Sequence, residues 1–214
     1  MTGTVIPALP HHIALIDADN LSGKTATSFI LDDFEEAFAV YAHHDADPDT
    51  RIPEITRFGL NYMNVTGTRA LARFDTIILS YALSDGNSPD GAMSSLRALL
   101  TKCEPKAGTR LYAIASASDY ESTRAASSFA PLETLCSEHH LSWCGGLAAG
   151  TGDMITRTAN MPRMGMMRRS LSEATDKLIL AVRCGTDAGT IVVPAPVPQF
   201  VYHAIAYRQS KLND

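Results

Sequence analysis

The chain has 214 residues, of which 45% are hydrophobic and 19% are charged, and its net charge is −5 at pH 7. This composition excludes a disordered chain, and the acidic balance means that any nucleic-acid role depends on a local basic patch. No apolar run reaches about 18 residues, so no membrane span is predicted. The first twelve residues do not resemble a secretory signal, and four scattered cysteines indicate reduced thiols in a cytoplasmic protein.

Strands and helices are predicted to alternate along the chain. Residues 1–11 form a lead-in, 12–17 a buried strand, and 28–42 an amphipathic helix. The later predicted elements are a short strand within 60–65, a strand at 75–83, a turn at 84–91, a helix at 92–102, a strand at 110–116, a helix at 119–138 bent at Pro131, a strand at 141–144, a helix at 172–182, an extended segment at 190–197 and a helix at 199–212.

This alternation predicts an α/β fold, namely a Rossmann-like three-layer α/β/α sandwich with a mostly parallel sheet. We expect a single domain at 12–182 and a C-terminal extension at 183–214 that holds the extended segment and the closing helix.

The stretch I-A-L-I-D-A-D-N at 13–20 places two carboxylates and an amide directly after a buried strand. Ligands of open α/β sheets bind at the carboxyl ends of the strands, so Asp17, Asp19 and Asn20 are predicted to enter a crevice there. Oxygen ligands of this kind suit Mg²⁺ or Mn²⁺. A turn or helix-capping role for Asp19 and Asn20 is the alternative.

The segment I-A-S-A-S-D-Y at 114–120 repeats this pattern, with Ser118 and Asp119 at a predicted strand end. Both residues could instead cap the following helix. Because neighbouring strand ends meet at one edge of a parallel sheet, the two acidic ends together could hold one or two divalent ions and activate water for attack on phosphate.

Three segments resemble the NYN domains, which are relatives of the PIN-domain nucleases. The stretch 13–20 looks like their opening motif, S-A-S-D-Y at 116–120 like their S-x-S-D-[FY] strand end, and S-E-A-T-D-K-L-I-L at 172–180 like their closing helix. The segments come in the family's order and span about 12–182. The resemblance implies a PIN-like sandwich and a metal-dependent endoribonuclease that hydrolyses RNA phosphodiesters.

Residue by residue, the resemblance implies catalytic and metal-binding roles for Asp17, Asp19 and Asp119, with Asn20 and Ser118 beside the bound ion. Asp75, in F-D-T-I-I-L, is the best candidate for a further metal ligand. The sequence departs from the family at Ala117, where an additional aspartate is usual. Ala117 therefore favours an alternative in which the chain is a degenerate member that binds RNA or a protein without cutting.

Two other enzyme hypotheses use the same strand end. The segment A-D-N-L-S-G-K-T at 18–25 fits a relaxed phosphate-loop pattern, in which Lys24 and Thr25 would bind an NTP and Mg²⁺. Against it, Asp17 and Asp19 would repel phosphate. The pair Asp17 and Asp19 also resembles the nucleophile and acid of haloacid-dehalogenase-like phosphatases.

The segment 157–169 carries four arginines, and no acidic residue lies between Asp153 and Glu173. A plain loop is one interpretation. In the nuclease hypothesis, the RNA phosphates would be contacted by Arg157, Arg163, Arg168 and Arg169. The predicted partners are RNA, a protein partner or a second copy of the chain, and no membrane.

Overall fold

The computed structural model describes residues 10–19, 25–44, 52–59, 71–83 and 90–210. Its six strands form one sheet in which every pairing is parallel. The strands are β1 (His12–Asp17), β2 (Glu54–Gly59), β3 (Thr76–Leu83), β4 (Arg110–Ala117), β5 (Ser142–Ala149) and β6 (Thr190–Val193).

Helices cover both faces of this sheet, which confirms the predicted three-layer α/β/α fold. The helices are α1 (Ala26–His44), α2 (Asp90–Cys103), α3 (Thr123–Ser127), α4 (Phe129–Glu138), α5 (Gly152–Ile155), α6 (Arg169–Cys184) and α7 (Gln199–Ser210). One buried cluster joins the sheet to α1 and α6, and we call this side of the sheet the α1 face. A second buried cluster joins it to α2, α3 and α4 on the opposite side, the α2 face.

The strand order is β2-β1-β3-β4-β5-β6. Its first five strands follow 2-1-3-4-5, one of the common doubly wound orders. From β1 the chain enters α1 on one face and returns to β2, whereas from β3 it enters α2 on the other face and continues to β4. The direction of winding therefore reverses between β1 and β3.

The central strands are apolar on both faces because both faces are covered by helices. Ile13 and Leu15 of β1 pack on the α1 face, while Ala14 and Ile16 pack on the α2 face, and all four side chains are fully buried. This arrangement explains why β1 shows a continuous apolar run instead of alternation. The predicted strand at 12–17 is confirmed at both ends.

Other predicted elements need correction. The long helix predicted at 119–138 is two helices, α3 and α4, and Pro131 lies in the first turn of α4, where a missing N–H is tolerated. The strand predicted at 141–144 continues to Ala149, so the glycine pair 145–146 lies inside β5. The strand predicted within 60–65 and most of the turn at 84–91 lie outside the described residues.

The segment after residue 183 contributes β6, which pairs with β5 at one side of the sheet, and then α7. The hydroxyl of Tyr202 in α7 donates to the Ser118 carbonyl at 2.5 Å, and the Tyr120 hydroxyl donates to the Val197 carbonyl at 3.0 Å. The segment thus reaches back to the loop that follows β4. The division into a domain at 12–182 and an extension stays a prediction. None of the helices in the described part of the chain is long and apolar enough to cross a membrane.

Candidate functional site

The reversal of winding between β1 and β3 defines the candidate site. The connections after these two strands leave on opposite faces, which opens a crevice at the carboxyl edge of the sheet. Asp17 ends β1 and is paired in register with Ser80 of β3. The backbone N–H of Ala18 donates to the Ser80 carbonyl at 2.9 Å, so the two strands stay paired up to this edge.

Asp17 is buried in the crevice floor and is held by three donors. Its carboxylate accepts hydrogen bonds from the Ser28 hydroxyl at 3.0 Å, from the Arg57 guanidinium at 3.1 Å and from the backbone N–H of Asp19 at 3.1 Å. The side chain is 4% exposed. Burial of a carboxylate is costly without hydrogen-bond donors and an opposite charge, and Arg57 supplies that charge.

Arg57 of β2 is shared among several carboxylates. Besides Asp17, its guanidinium contacts Asp32 and approaches Glu35 at 3.7 Å, both on α1. These contacts fasten the amino-terminal half of α1 to β1 and β2. They also leave the group of charges around Arg57 net negative.

Asp19 lies across the gap between the two strands. Its carboxylate accepts the Thr27 hydroxyl at 2.5 Å and a hydrogen bond from the backbone of Ala82 in β3. Burial raises the pKa of Asp19 and the negative charge of Asp17 raises it further, whereas the two hydrogen bonds act in the opposite direction. The result is a carboxyl group that holds its proton more firmly than an exposed aspartate.

Replacing Asp19 with asparagine should therefore stabilise the protein at pH 7. Because the pKa of Asp19 is raised in the folded chain, its protonated form contributes stability. That contribution is fully present at pH values below the ordinary pKa of an aspartate and is lost as the pH rises through the pKa in the folded protein. Asparagine has no charge to desolvate and avoids that loss. Thermal unfolding of the wild type and Asp19→Asn should show a difference that grows from acid to neutral pH, and the exposed Glu36→Gln control should show none. An equal difference at every pH would contradict this interpretation.

Ser80 provides a polar group without a partner. Its side chain is fully buried, and among the residues that the structure describes its Oγ makes no hydrogen bond. Side chains two residues apart share a face of a strand, so Ser80 points to the α1 face, as Ile78 does, and lies beside Asp17. A buried hydroxyl without a partner is unfavourable unless something binds to it.

The amino terminus of α1 adds three hydroxyl groups. The Thr25 hydroxyl donates to Ser28 Oγ at 2.9 Å, and Ser28 and Thr27 donate in turn to Asp17 and Asp19. Two of the three hydroxyls thus donate to the carboxylates, and the Thr25 hydroxyl donates to one of those two. Sequence reasoning missed Thr27, Ser28, Ser80 and Arg57. The run T-A-T-S at 25–28, just before a helix, was the available signal for the first two.

Asp119 and Ser118 lie at the same edge but not beside Asp17. β3 lies between β1 and β4, so the two strand ends are separated by two strand spacings, about 10 Å. Asp119 is exposed and pairs with Arg124 at 3.5 Å, while the Ser118 carbonyl is bonded to Tyr202. Asn20, predicted as their neighbour, lies outside the described residues.

Asp75 lies at the opposite edge of the sheet, which corrects its predicted role as a metal ligand. It precedes β3, and its carboxylate accepts the backbone N–H groups of His11 and His12 at 2.7 and 3.2 Å. Five residues of strand, about 16 Å, separate it from Ser80, the partner of Asp17. Asp75 therefore anchors the start of β1.

Three of the four predicted RNA-binding arginines pair with acidic groups of the chain itself. Arg168 is bonded to the buried Asp33 at 2.5 Å, and Arg163 lies 3.2 Å from Asp33 and 2.9 Å from Asp176. Arg169 pairs with Glu173. Arg157 lies in a single 3₁₀ turn (Thr156–Thr158). The segment thus joins α1 to α6 and does not present a row of open cations.

No family model matches the chain, and no curated protein matches it. Among solved structures it is similar to an oxidoreductase from Corynebacterium diphtheriae, with a TM-score of 0.53 and 14% identity over 85% of this chain and 96% of that one. Another is an NADPH-quinone reductase from P. pentosaceus, with a TM-score of 0.47 and 12% identity over 79% of this chain and 97% of that one. A third is an NAD(P)H:quinone oxidoreductase from Methanothermobacter marburgensis, with a TM-score of 0.40 and 13% identity over 82% of this chain and 96% of that one.

The similarity to the Corynebacterium structure, at this low identity, shows a shared fold. The superpositions with TM-scores of 0.47 and 0.40 are too weak to support any further conclusion. The fold shared with that protein is the α/β/α sandwich with a parallel sheet.

These findings contradict the predicted ribonuclease. The Corynebacterium structure of similar fold is named an oxidoreductase and not a nuclease. Within the described ranges, no group of three or more His, Cys, Asp and Glu side chains could hold a metal ion, because Asp17, Asp75 and Asp119 are spread over the sheet. The predicted cofactor, Mg²⁺ or Mn²⁺, is contradicted for the same reason.

The alternatives attached to that prediction, a degenerate RNA- or protein-binding module and a phosphate-loop NTPase, likewise differ from the oxidoreductase named for the Corynebacterium structure. Lys24 lies outside the described residues. The NYN resemblance itself stays a prediction, as do the partners.

Proposed function

We propose that the chain is an oxidoreductase that binds a flavin in the crevice between the carboxyl ends of β1 and β3. The observation that carries this proposal is the strand order, which places the reversal of winding between those two strands. In sheets of order 2-1-3-4-5, this is the position at which a flavin nucleotide binds. The Corynebacterium structure of similar fold is an oxidoreductase.

The side chains in the crevice fit the hydroxyl-bearing part of a flavin. Asp17 and Asp19 are hydrogen-bond acceptors, and a polyol chain offers hydroxyl donors. The hydroxyl of Ser80, which has no partner in the described part of the chain, can both donate and accept. Asp17, Asp19 and Ser80 would therefore hold and orient the polyol chain.

The flavin ring would supply the electron-transfer chemistry, and the chain's residues supply binding and orientation. Arg57 holds the Asp17 carboxylate in place at the end of β1 through an ion pair at 3.1 Å. Asp19, whose pKa is raised by burial, accepts hydrogen bonds from the Thr27 hydroxyl and the Ala82 backbone at the same edge. Tyr120 and Tyr202, whose rings lie 5.5 Å apart, border the same sheet edge beside β4.

The test is a titration of riboflavin and flavin mononucleotide into the protein, followed by calorimetry and flavin fluorescence. We expect saturable binding with one site per chain. NAD(P)H oxidation with a quinone acceptor is then measured on the flavin-loaded protein, because these reactants are named for the neighbours of similar fold.

A matched pair of bulky substitutions locates the site. Ala82→Trp should fill the crevice next to Asp19 and abolish flavin binding, whereas Val192→Trp, at an exposed position of β6, should leave it unchanged. Circular dichroism checks that each variant folds, and Asp19→Ala replaces Ala82→Trp if the latter does not fold. Failure of the wild type to bind any flavin, or equal loss in both tryptophan variants, would refute the proposal.

A further inference from the structure

We infer that this crevice selects the phosphate-free flavin, riboflavin, over flavin mononucleotide, because its polar groups are arranged for a neutral, hydroxyl-bearing ligand. The inference rests on the proposed function and adds the class of ligand that the site accepts. It follows from three independent features of the α1 face at the sheet edge.

The first feature is that the three side-chain hydroxyl donors at the amino terminus of α1 are already in use. A phosphate at a helix amino terminus is held by N–H and hydroxyl donors. Here Thr27 donates to Asp19 at 2.5 Å, Ser28 donates to Asp17 at 3.0 Å, and Thr25 donates to Ser28 at 2.9 Å. A phosphate placed at the Thr27 and Ser28 hydroxyls would have to displace a carboxylate from each of these two hydrogen bonds.

The second feature is the local charge. The carboxylates of Asp17, Asp32 and Glu35 surround a single guanidinium, that of Arg57, within 3.7 Å. Asp19 adds a fourth acidic group beside Asp17. A phosphate monoester carries a charge of about −1.5 to −2 at neutral pH, so the group repels it. A neutral polyol meets no such repulsion.

The third feature is Ser80, which indicates that a ligand reaches this position. Its fully buried hydroxyl lies beside Asp17 on the same face and has no partner among the described residues. A hydroxyl group from a ligand would satisfy both Ser80 and a free lone pair of Asp17. This pairing requires a hydroxyl donor and makes no use of a phosphate.

Calorimetric titration of riboflavin and flavin mononucleotide at pH 7 tests the inference. The wild type should bind riboflavin at least about tenfold more tightly, which corresponds to about 1.4 kcal/mol. Asp19→Asn, which keeps the shape of the side chain but removes its charge, should reduce that ratio several-fold. Glu36→Gln, at an exposed position of α1, should leave the ratio at the wild-type value.

Three results would overturn the inference. Equal or tighter binding of flavin mononucleotide by the wild type would refute it and leave the proposed function standing. A preference for flavin mononucleotide that disappears in Lys24→Ala would show that the loop before α1 supplies a phosphate site. Binding of neither flavin would remove the proposed function and the inference together.

Discussion

Replacing Arg168 with methionine should lower the free energy of unfolding by about 3 to 5 kcal/mol, because it leaves a buried carboxylate without its main partner. Arg168 and Asp33 are bonded at 2.5 Å, with side chains 10% and 2% exposed. The guanidinium also donates to the Met161 carbonyl and lies 4.9 Å from the ring centre of Phe29. Denaturant unfolding measures the loss.

A double variant separates the ion pair from general packing. In the double variant Asp33→Leu/Arg168→Met, neither member of the ion pair is left buried without the other. Its loss of unfolding free energy should therefore be smaller than the sum of the losses in the two single variants. Arg169→Met removes the neighbouring arginine, which is exposed and pairs only along its own helix, and should change stability little. Additive losses, or an equal effect of Arg169→Met, would show that the Asp33–Arg168 pair does not stabilise the fold.

Replacing Gly146 with alanine should lower the free energy of unfolding by about 3 kcal/mol or more, since overpacking of this kind reaches backbone atoms that cannot rotate away. A Cβ on Gly146 would lie 2.2 Å from the Ala113 carbonyl oxygen of the neighbouring strand. The close approach coincides with the register shift between β4 and β5. The two strands would have to separate to make room for the added methyl group.

Gly108→Ala is the matched control. Gly108 has φ +82°, and a Cβ there would meet nothing within 4 Å, so alanine introduces only backbone strain, about 1 kcal/mol. A loss in Gly146→Ala no larger than the loss in Gly108→Ala would contradict the steric interpretation. Thermal and denaturant unfolding of both variants make the comparison.

Much of the fold could be predicted from the sequence because local patterns determined it. The apolar run at 13–16 is buried on both faces, so β1 could be placed residue by residue. The helix α1 was predicted from its apolar stripe and extends two residues further at each end than predicted. The break between α3 and α4 falls at Ser128, three residues before Pro131, so the proline signalled an interruption of the helix but not its position.

The candidate site was harder to predict because its members come together only in the folded chain. Arg57 and Asp17 are 40 residues apart, and Arg57 lies in β2, a segment in which no strand was predicted. One error could have been avoided, however. Asp75 precedes its strand while Asp17 ends its own, and in a parallel sheet the two therefore lie at opposite edges.

The central claim is that a flavin binds between β1 and β3, and an amide-resolved NMR titration of ¹⁵N-labelled protein with riboflavin tests it most directly. Binding in the crevice should shift the amide signals of Asp17 to Asp19, of Ser80 to Leu83 and of the first turn of α1, while those of His11 and Asp75 at the opposite edge stay in place. Shifts confined to other parts of the chain, or no shifts at all, would contradict the claim.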